Sequence, residues 1–444
     1  MSTRDPKPES DAPLATAEPE ISGRMGPLLL LSVALGVGGA LVASLFLVVE
    51  SALHQAMWVD LPGHLGLSTP SWWYVVVALL VGALIVRVAQ RLPGHTGSGP
   101  LEGFHFDTGP RIIASVVVAA LATLAFGMVL GPEAPLIACG TALGGLLLRG
   151  RDPKVVQLGM ALGGVAAIGA IFGNPLVTAF MILEFAALGP LPAAALLPIL
   201  VALGSGYIVQ IGLGPWSGLG THSLALPGLP AFTGLTGVEL LGGAGVAVVA
   251  TVVALGAREL AERLQAAGRR RPTPLLFAAA LFTALLAIGI NLVTGQSYDA
   301  VLFSGQDYLG TLLAITSVST LLLVLIAKML AYAAALGGGF RGGPIFPAVT
   351  LGVTVGVLAA LVVPGLSLPG MVVVGIASTT AAMTKLPFTG AMLAVLLASA
   401  AGPTVTPLAI LGAVVGFIAR MGLDRLDQRR ADVTTTSDAP ALPA

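Results

Sequence analysis

Residues 131–144 read GPEAPLIACGTALG, and residues 343–356 read GPIFPAVTLGVTVG. The two stretches carry Gly, Pro, Pro, Gly and Gly at the same places, 212 residues apart. The same spacing pairs Gly163 with Gly375 and Pro175 with Pro387. Several landmarks held at one offset mark two homologous halves. Each leading Pro lies in apolar sequence and suits the first helical position, where its missing N–H costs nothing. A helix that begins inside an apolar region presents unpaired N–H groups and a positive dipole end to the interior. Such an end holds anions. Matching Gly/Pro-broken apolar segments in two halves point to a substrate site near the bilayer midplane.

Composition fixes the setting. Hydrophobic residues are 56% and charged residues 9% of the chain, and mean hydropathy is +0.96, which requires an all-α integral membrane protein. Runs such as LLLLSVALGVGGALVASLFLVV do not alternate, which excludes an outer-membrane barrel. A formal net charge of zero with no basic patch gives no nucleic-acid surface. The single cysteine, Cys139, excludes an internal disulfide and suits packing among small residues.

The chain then reads in order. Residues 1–24 are polar and too acidic for a cleaved signal, so a disordered tail is expected. Apolar spans are expected at about 27–49, 73–88, 111–130, 155–172, 175–188 and 191–211 in a first membrane repeat, residues 25–230. In the second, residues 231–426, they fall at about 238–265, 275–293, 312–336, 371–383, 387–398 and 407–418. The helices after Gly131 and Gly343 complete the set, and 427–444 is expected to be a second disordered tail. Many segments are too short to cross alone, so tilted and broken helices are expected. Trp58, Trp72, Trp73 and Tyr74 suit an interfacial belt. Basic loops follow at Arg87 and Arg91, at Arg149, Arg151 and Lys154, at 268–271 and at 420–430. Loops 50–70 and 212–237 lack Lys and Arg, which puts both termini in the cytoplasm.

Two positions carry candidate chemistry. Glu133 is an acid within the membrane region, a functional candidate by default. At a helix start its carboxylate can sit where an anion would sit; a capping carboxylate is the alternative, but it predicts no repeated Gly-Pro partner. Ser98, between Gly97 and Gly99 and before Pro100, offers one hydroxyl with little bulk beside an accessible backbone. An ordinary turn is the alternative.

Together GSGP at 97–100, GPEAP at 131–135 and GGPIFP at 342–347 resemble the anion-binding signatures of the CLC chloride channels and chloride/proton antiporters. GNPLVTAFMILE and LPFTGAML match later helix starts of that family. The resemblance covers about residues 27–426 and implies an inverted two-fold repeat, a homodimer with one pore per subunit, and anions held by helix N-termini. It implies that Glu133 is the gating glutamate and Ser98 the inner serine ligand. It also implies an anion-binding set of Gly97, Ser98, Gly99, Pro100, Gly131, Pro132, Ala134, Pro135, Gly343, Pro344, Ile345 and Phe346.

The chain departs from that family at several points. Pro132 replaces the usual Arg, Ala134 replaces a Gly, and Pro344 removes an amide. No Tyr follows Tyr332, where the family has a C-terminal tyrosine facing the anion. Phe185 stands where the antiporters have an inner glutamate, with Glu184 one residue earlier. One residue is about 100° around a helix, so Glu184 is not a simple substitute. The expected function is passage of chloride or a similar small anion across the bacterial plasma membrane, with channel-like conduction and proton-coupled exchange both open. A carrier for a small organic anion is the second class and a membrane enzyme the third. The five histidines show no metal-ligand spacing, so neither metal nor cofactor is expected.

Overall fold

In a computed structural model, which describes residues 25–94, 96–188, 195–217 and 225–437, the chain is helical throughout. The first half comprises α1 (Met25–Gln55), α2 (Leu61–His64), α3 (Trp72–Ala89), α4 (Ile113–Ala125), α5 (Glu133–Leu147), α6 (Pro153–Phe172), α7 (Pro175–Leu188) and α8 (Leu196–Ser217). The second comprises α9 (Gly237–Gly268), α10 (Pro272–Thr294), α11 (Leu309–Ala314), α12 (Val318–Gly337), α13 (Ile345–Val362), α14 (Leu368–Thr384), α15 (Pro387–Leu397) and α16 (Thr406–Ser437). Among the described residues, eight helical segments are long and apolar enough to cross a bilayer, and α4, α5, α7, α14 and α15 are among the shorter apolar pieces. Exposed leucines such as Leu241 and Leu292, each 78% exposed, are what a lipid-facing surface requires.

Starts follow local chemistry. The Asp152 carboxylate accepts from the Lys154 N–H ahead of Pro153 and caps α6, and the Ser367 hydroxyl accepts from the Gly370 N–H at α14. Thr236 caps α9 by accepting from the Glu239 N–H. The Glu239 carboxylate does not close that capping box; it accepts from the Ser367 N–H at 2.7 Å and ties α9 to α14. Pro132 and Pro344 occupy the cap positions of α5 and α13 rather than the first helical position.

The repeat seen in the sequence is a repeat in packing. α5 lies against α6 as α13 lies against α14. A Cβ on Gly140 would fall 2.1 Å from the Gly163 carbonyl oxygen, and one on Gly352 would fall 2.4 Å from that of Gly375. Both pairs are backbone against backbone, the close approach that small residues permit in membrane helices. α6 ends at Gly173 with φ +60°, and α14 ends at the equivalent Lys385 with φ +63°. Between the halves, Gly131 and Gly343 form an antiparallel bridge, with N–H···O distances of 2.8 and 2.5 Å. A reciprocal pair of this kind runs the two chains in opposite directions, as an inverted repeat demands. We expect Gly375→Ala, whose Cβ would meet the Gly352 oxygen at 2.0 Å, to cost about 1–3 kcal/mol through overpacking. A fall in the melting temperature of the detergent-solubilised protein is the measurement; an unchanged value would show that α13 and α14 can separate freely.

Several expectations are corrected. The span at 111–130 stops being helical at Ala125, and residues 126–130 run as a strap into Gly131. Trp58 is buried, not interfacial: its indole N–H donates to the Ala125 carbonyl at 2.9 Å, occupying a helix-end acceptor. Tyr74 is also buried, its hydroxyl donating to the Met57 carbonyl. Trp72 and Trp73 remain exposed. The span at 312–336 is broken at 315–317, where Ser317 caps α12 by accepting from the Thr320 N–H. Residues 427–437 continue α16 instead of forming a tail, because no helix breaker follows the Arg420–Asp424 pair. Residues 1–24 and 438–444 lie outside the described residues.

Candidate functional site

The bridge at Gly131 and Gly343 sets the beginnings of α5 and α13 beside one another, and the Glu133 side chain lies between them. It is fully buried. Its Oε1 accepts from the Phe346 N–H at 2.9 Å, so a carboxylate from the first half occupies a free amide of the second. The N–H groups of Glu133 and Ile345 also face this carboxylate. Oε2 is buried with no partner. Gly131 and Gly343 make room: a Cβ on the former would fall 2.2 Å from Oε2, and on the latter 1.7 Å. Tyr332, on α12, donates its hydroxyl to the Pro344 carbonyl at 2.7 Å and fixes the approach to α13.

Glu184 provides the comparison. Its two oxygens take three donors, the Phe388 N–H at 2.6 Å, the Thr389 N–H at 2.8 Å and the Thr389 hydroxyl. It is a satisfied cap that clamps α7 onto the start of α15. Phe185 turns away and packs edge-on against Phe104 and Phe106, at centroid distances of 6.3 and 5.8 Å. A buried carboxylate oxygen left without a donor costs about 1–3 kcal/mol or more. Glu184 avoids that cost; Glu133 does not. An unpaired oxygen does not by itself mark a group that moves, since Glu239 Oε2, on the tie between α9 and α14, is also buried without a partner.

A second space opens on the other side of the first turn of α5. It has a volume of about 40 Å³ and is lined by Thr96, Ser98, Phe104, Ala134, Pro135 and Arg341, with Gly97, Gly99 and Gly342 supplying bare backbone. A water needs about 10–15 Å³ by the same measure, so the space is large enough for a small inorganic anion with little water. Gly97 holds φ +70°, a turn that glycine takes without strain. Ser98 is exposed, so the space opens outward there. Pro100, Ile345 and Phe346 do not line it, and the anion-binding set read from the sequence divides into two places. Ser98 and its glycines face Ala134 and Pro135; Gly131, Pro132, Gly343, Pro344, Ile345 and Phe346 gather around Glu133.

Sequence reading passed over two charged residues. Arg341 is a lining residue, and Lys328 is a fully buried cation whose Nζ donates to the carbonyls of Val301, Leu302 and Phe303 at 2.7–3.0 Å. Each is an isolated charge in a long apolar run, the same signal that picked out Glu133. Among the described residues no group of three or more His, Cys, Asp or Glu side chains is placed to hold a metal.

Residues 77–420 match the family model described as "Voltage gated chloride channel". The chain belongs to the CLC family. Among curated proteins, "Putative ion-transport protein YfeO" of Escherichia coli O17:K52:H18 is 30% identical over 351 residues, covering 76% of this chain and 80% of that one. Among solved structures, a slow cyanobacterial Cl⁻/H⁺ antiporter superposes with a TM-score of 0.68 at 18% identity, over 89% of this chain and 94% of its own. A CLC-type fluoride/proton antiporter gives 0.64 at 20%, over 89% and 96%. This multi-pass membrane protein therefore has the CLC fold and belongs among anion transport proteins rather than enzymes.

Proposed function

We propose that the protein passes chloride or a similar small inorganic anion through a pore gated by Glu133. One observation carries the reading: the fully buried Glu133 carboxylate of the first half is seated on the Phe346 N–H at the start of α13, between Gly131 and Gly343. A carboxylate seated against a helix-start amide stands in for an anion there, and it must leave for an anion to pass. The space beside Ser98 is the adjoining station, and its small volume favours inorganic over organic anions. The family resemblance further supports a homodimer in a bacterial plasma membrane with cytoplasmic termini.

Within this reading, conduction is passive. Phe185 has no titratable group, and its neighbours Phe104 and Phe106 are likewise apolar. Glu184 is held by three donors and has a structural task. Proton-coupled exchange is the alternative within the same fold. Purified protein in liposomes, with anion efflux and proton movement recorded together, separates the two. The expected result is anion flux without stoichiometric proton flux. Uphill proton movement driven by a chloride gradient would overturn passive conduction, and absence of any anion flux would overturn the transport reading.

Ser98 is tested separately. Ser98→Pro removes its hydroxyl and its amide from the space at once. We expect an altered preference among chloride, bromide and nitrate in a protein that still assembles. Unchanged preference would leave residues 97–100 as a turn only.

A further inference from the structure

Arg341 is the one Arg or Lys among the described residues that lines the space beside Ser98, where His105 is also a lining residue. It lies two residues before Gly343, on the segment that leads into α13, and its backbone N–H donates to the Thr123 hydroxyl at 3.2 Å. Its Nε donates to the Thr96 carbonyl at 3.2 Å and to the Thr96 hydroxyl at 2.8 Å, which orients the guanidinium along the 96–99 loop. Nη1 is bonded at 3.3 Å to the Phe340 carbonyl and lies 3.6 Å from where a Cβ on Gly99 would be. Nη2 has no protein acceptor among the described residues. Glu102 Oε1 is 3.5 Å from the same point on Gly99, yet the two side chains form no ion pair. A guanidinium steered by its Nε, carrying a free N–H face into a space the size of one small anion, is a charge aimed at a ligand rather than consumed by a partner.

We propose that Arg341 is an affinity-determining residue of this anion station: a fixed positive charge that, with the Ser98 loop and the bare backbone of Gly97 and Gly99, retains a small inorganic anion before it meets the Glu133 gate. The inference rests on the anion-transport reading above and adds a role which that reading does not need. A structural role for Arg341 is the competing explanation, since its Nε also ties the 96–99 loop to the start of the second half. The two separate because affinity follows charge, whereas the tie follows the planar geometry of Nε.

The test is isothermal titration of chloride and of bromide into the full-length protein in detergent, with assembly followed by size-exclusion chromatography. Arg341→Gln should weaken binding by at least about tenfold, and Arg341→Lys should stay within about threefold of wild type. An assembled Arg341→Gln protein with wild-type affinity would overturn the proposal. So would Arg341→Lys weakened as far as Arg341→Gln, because the tie and not the charge would then matter. If neither variant assembles, Glu102→Gln decides: removing the exposed neighbouring carboxylate should tighten binding by about threefold, and unchanged affinity would overturn the proposal. Wild-type protein that neither binds nor passes any anion would instead defeat the transport reading beneath it.

Discussion

Glu133→Gln should pass anions at a rate that no longer responds to pH, whereas wild-type flux should rise as pH falls. The carboxylate and a permeant anion want the same N–H at Phe346. A hydrogen bond to a charged group contributes about 1.5–3 kcal/mol, and losing it frees the amide by about tenfold to a hundredfold. Protonation of Glu133 removes that charge in wild type, so falling pH favours the open arrangement. Glutamine mimics the protonated form permanently and has nothing to titrate. Flux and counter-flux of protons recorded over a pH series in liposomes give the measurement. A mutant with wild-type flux and wild-type pH response would remove Glu133 from the gate. Retained pH dependence at higher flux would leave it there and place the pH sensor elsewhere.

Gly343→Ala should have an effect of comparable size by a different route. Its new Cβ would lie 1.7 Å from Glu133 Oε2, 2.6 Å from the carboxyl carbon and 2.8 Å from the Glu133 Cβ. The side chain is fully buried, so either the carboxylate swings away from the Phe346 amide or the bridge to Gly131 breaks. The first outcome gives a constitutively conducting protein; the second gives one that does not assemble. Combining Gly343→Ala with Glu133→Gly removes all three contacts, so assembly should be restored in the double variant. Size-exclusion profiles of the two singles and the double decide this. A Gly343→Ala protein that assembles and keeps wild-type flux and pH response would show that the carboxylate does not sit between the two glycines.

The two sites were legible to different degrees. Glu133 and the paired helix starts could be read because each feature violates its surroundings: a carboxylate in apolar sequence, and Gly-Pro breaks where continuous helix would be expected. Arg341 carried the same kind of signal, a lone charge beside GGPIFP, but it lies outside the repeated landmarks. Trp58 was misread because amphipathic aromatic residues favour both interfaces and buried sites with one acceptor, and the acceptor at Ala125 is 67 residues away.

Sequence by itself determined the membrane setting and the two-fold repeat, and it singled out Glu133 as a lone acid at a repeated helix start. These rest on composition and on spacing along the chain, which need no knowledge of distant contacts. Tertiary structure alone decided that Glu184 is a fully paired cap while Glu133 is not. Both are single acids in short Pro-started helices, Glu133 at the start of α5 and Glu184 towards the end of α7, and they differ in how many donors fold around them. Those donors come from residues 204 and 205 positions away for Glu184 and 213 positions away for Glu133. Hydrogen-bond partners at such separations are fixed by how the halves pack, and no local pattern encodes them.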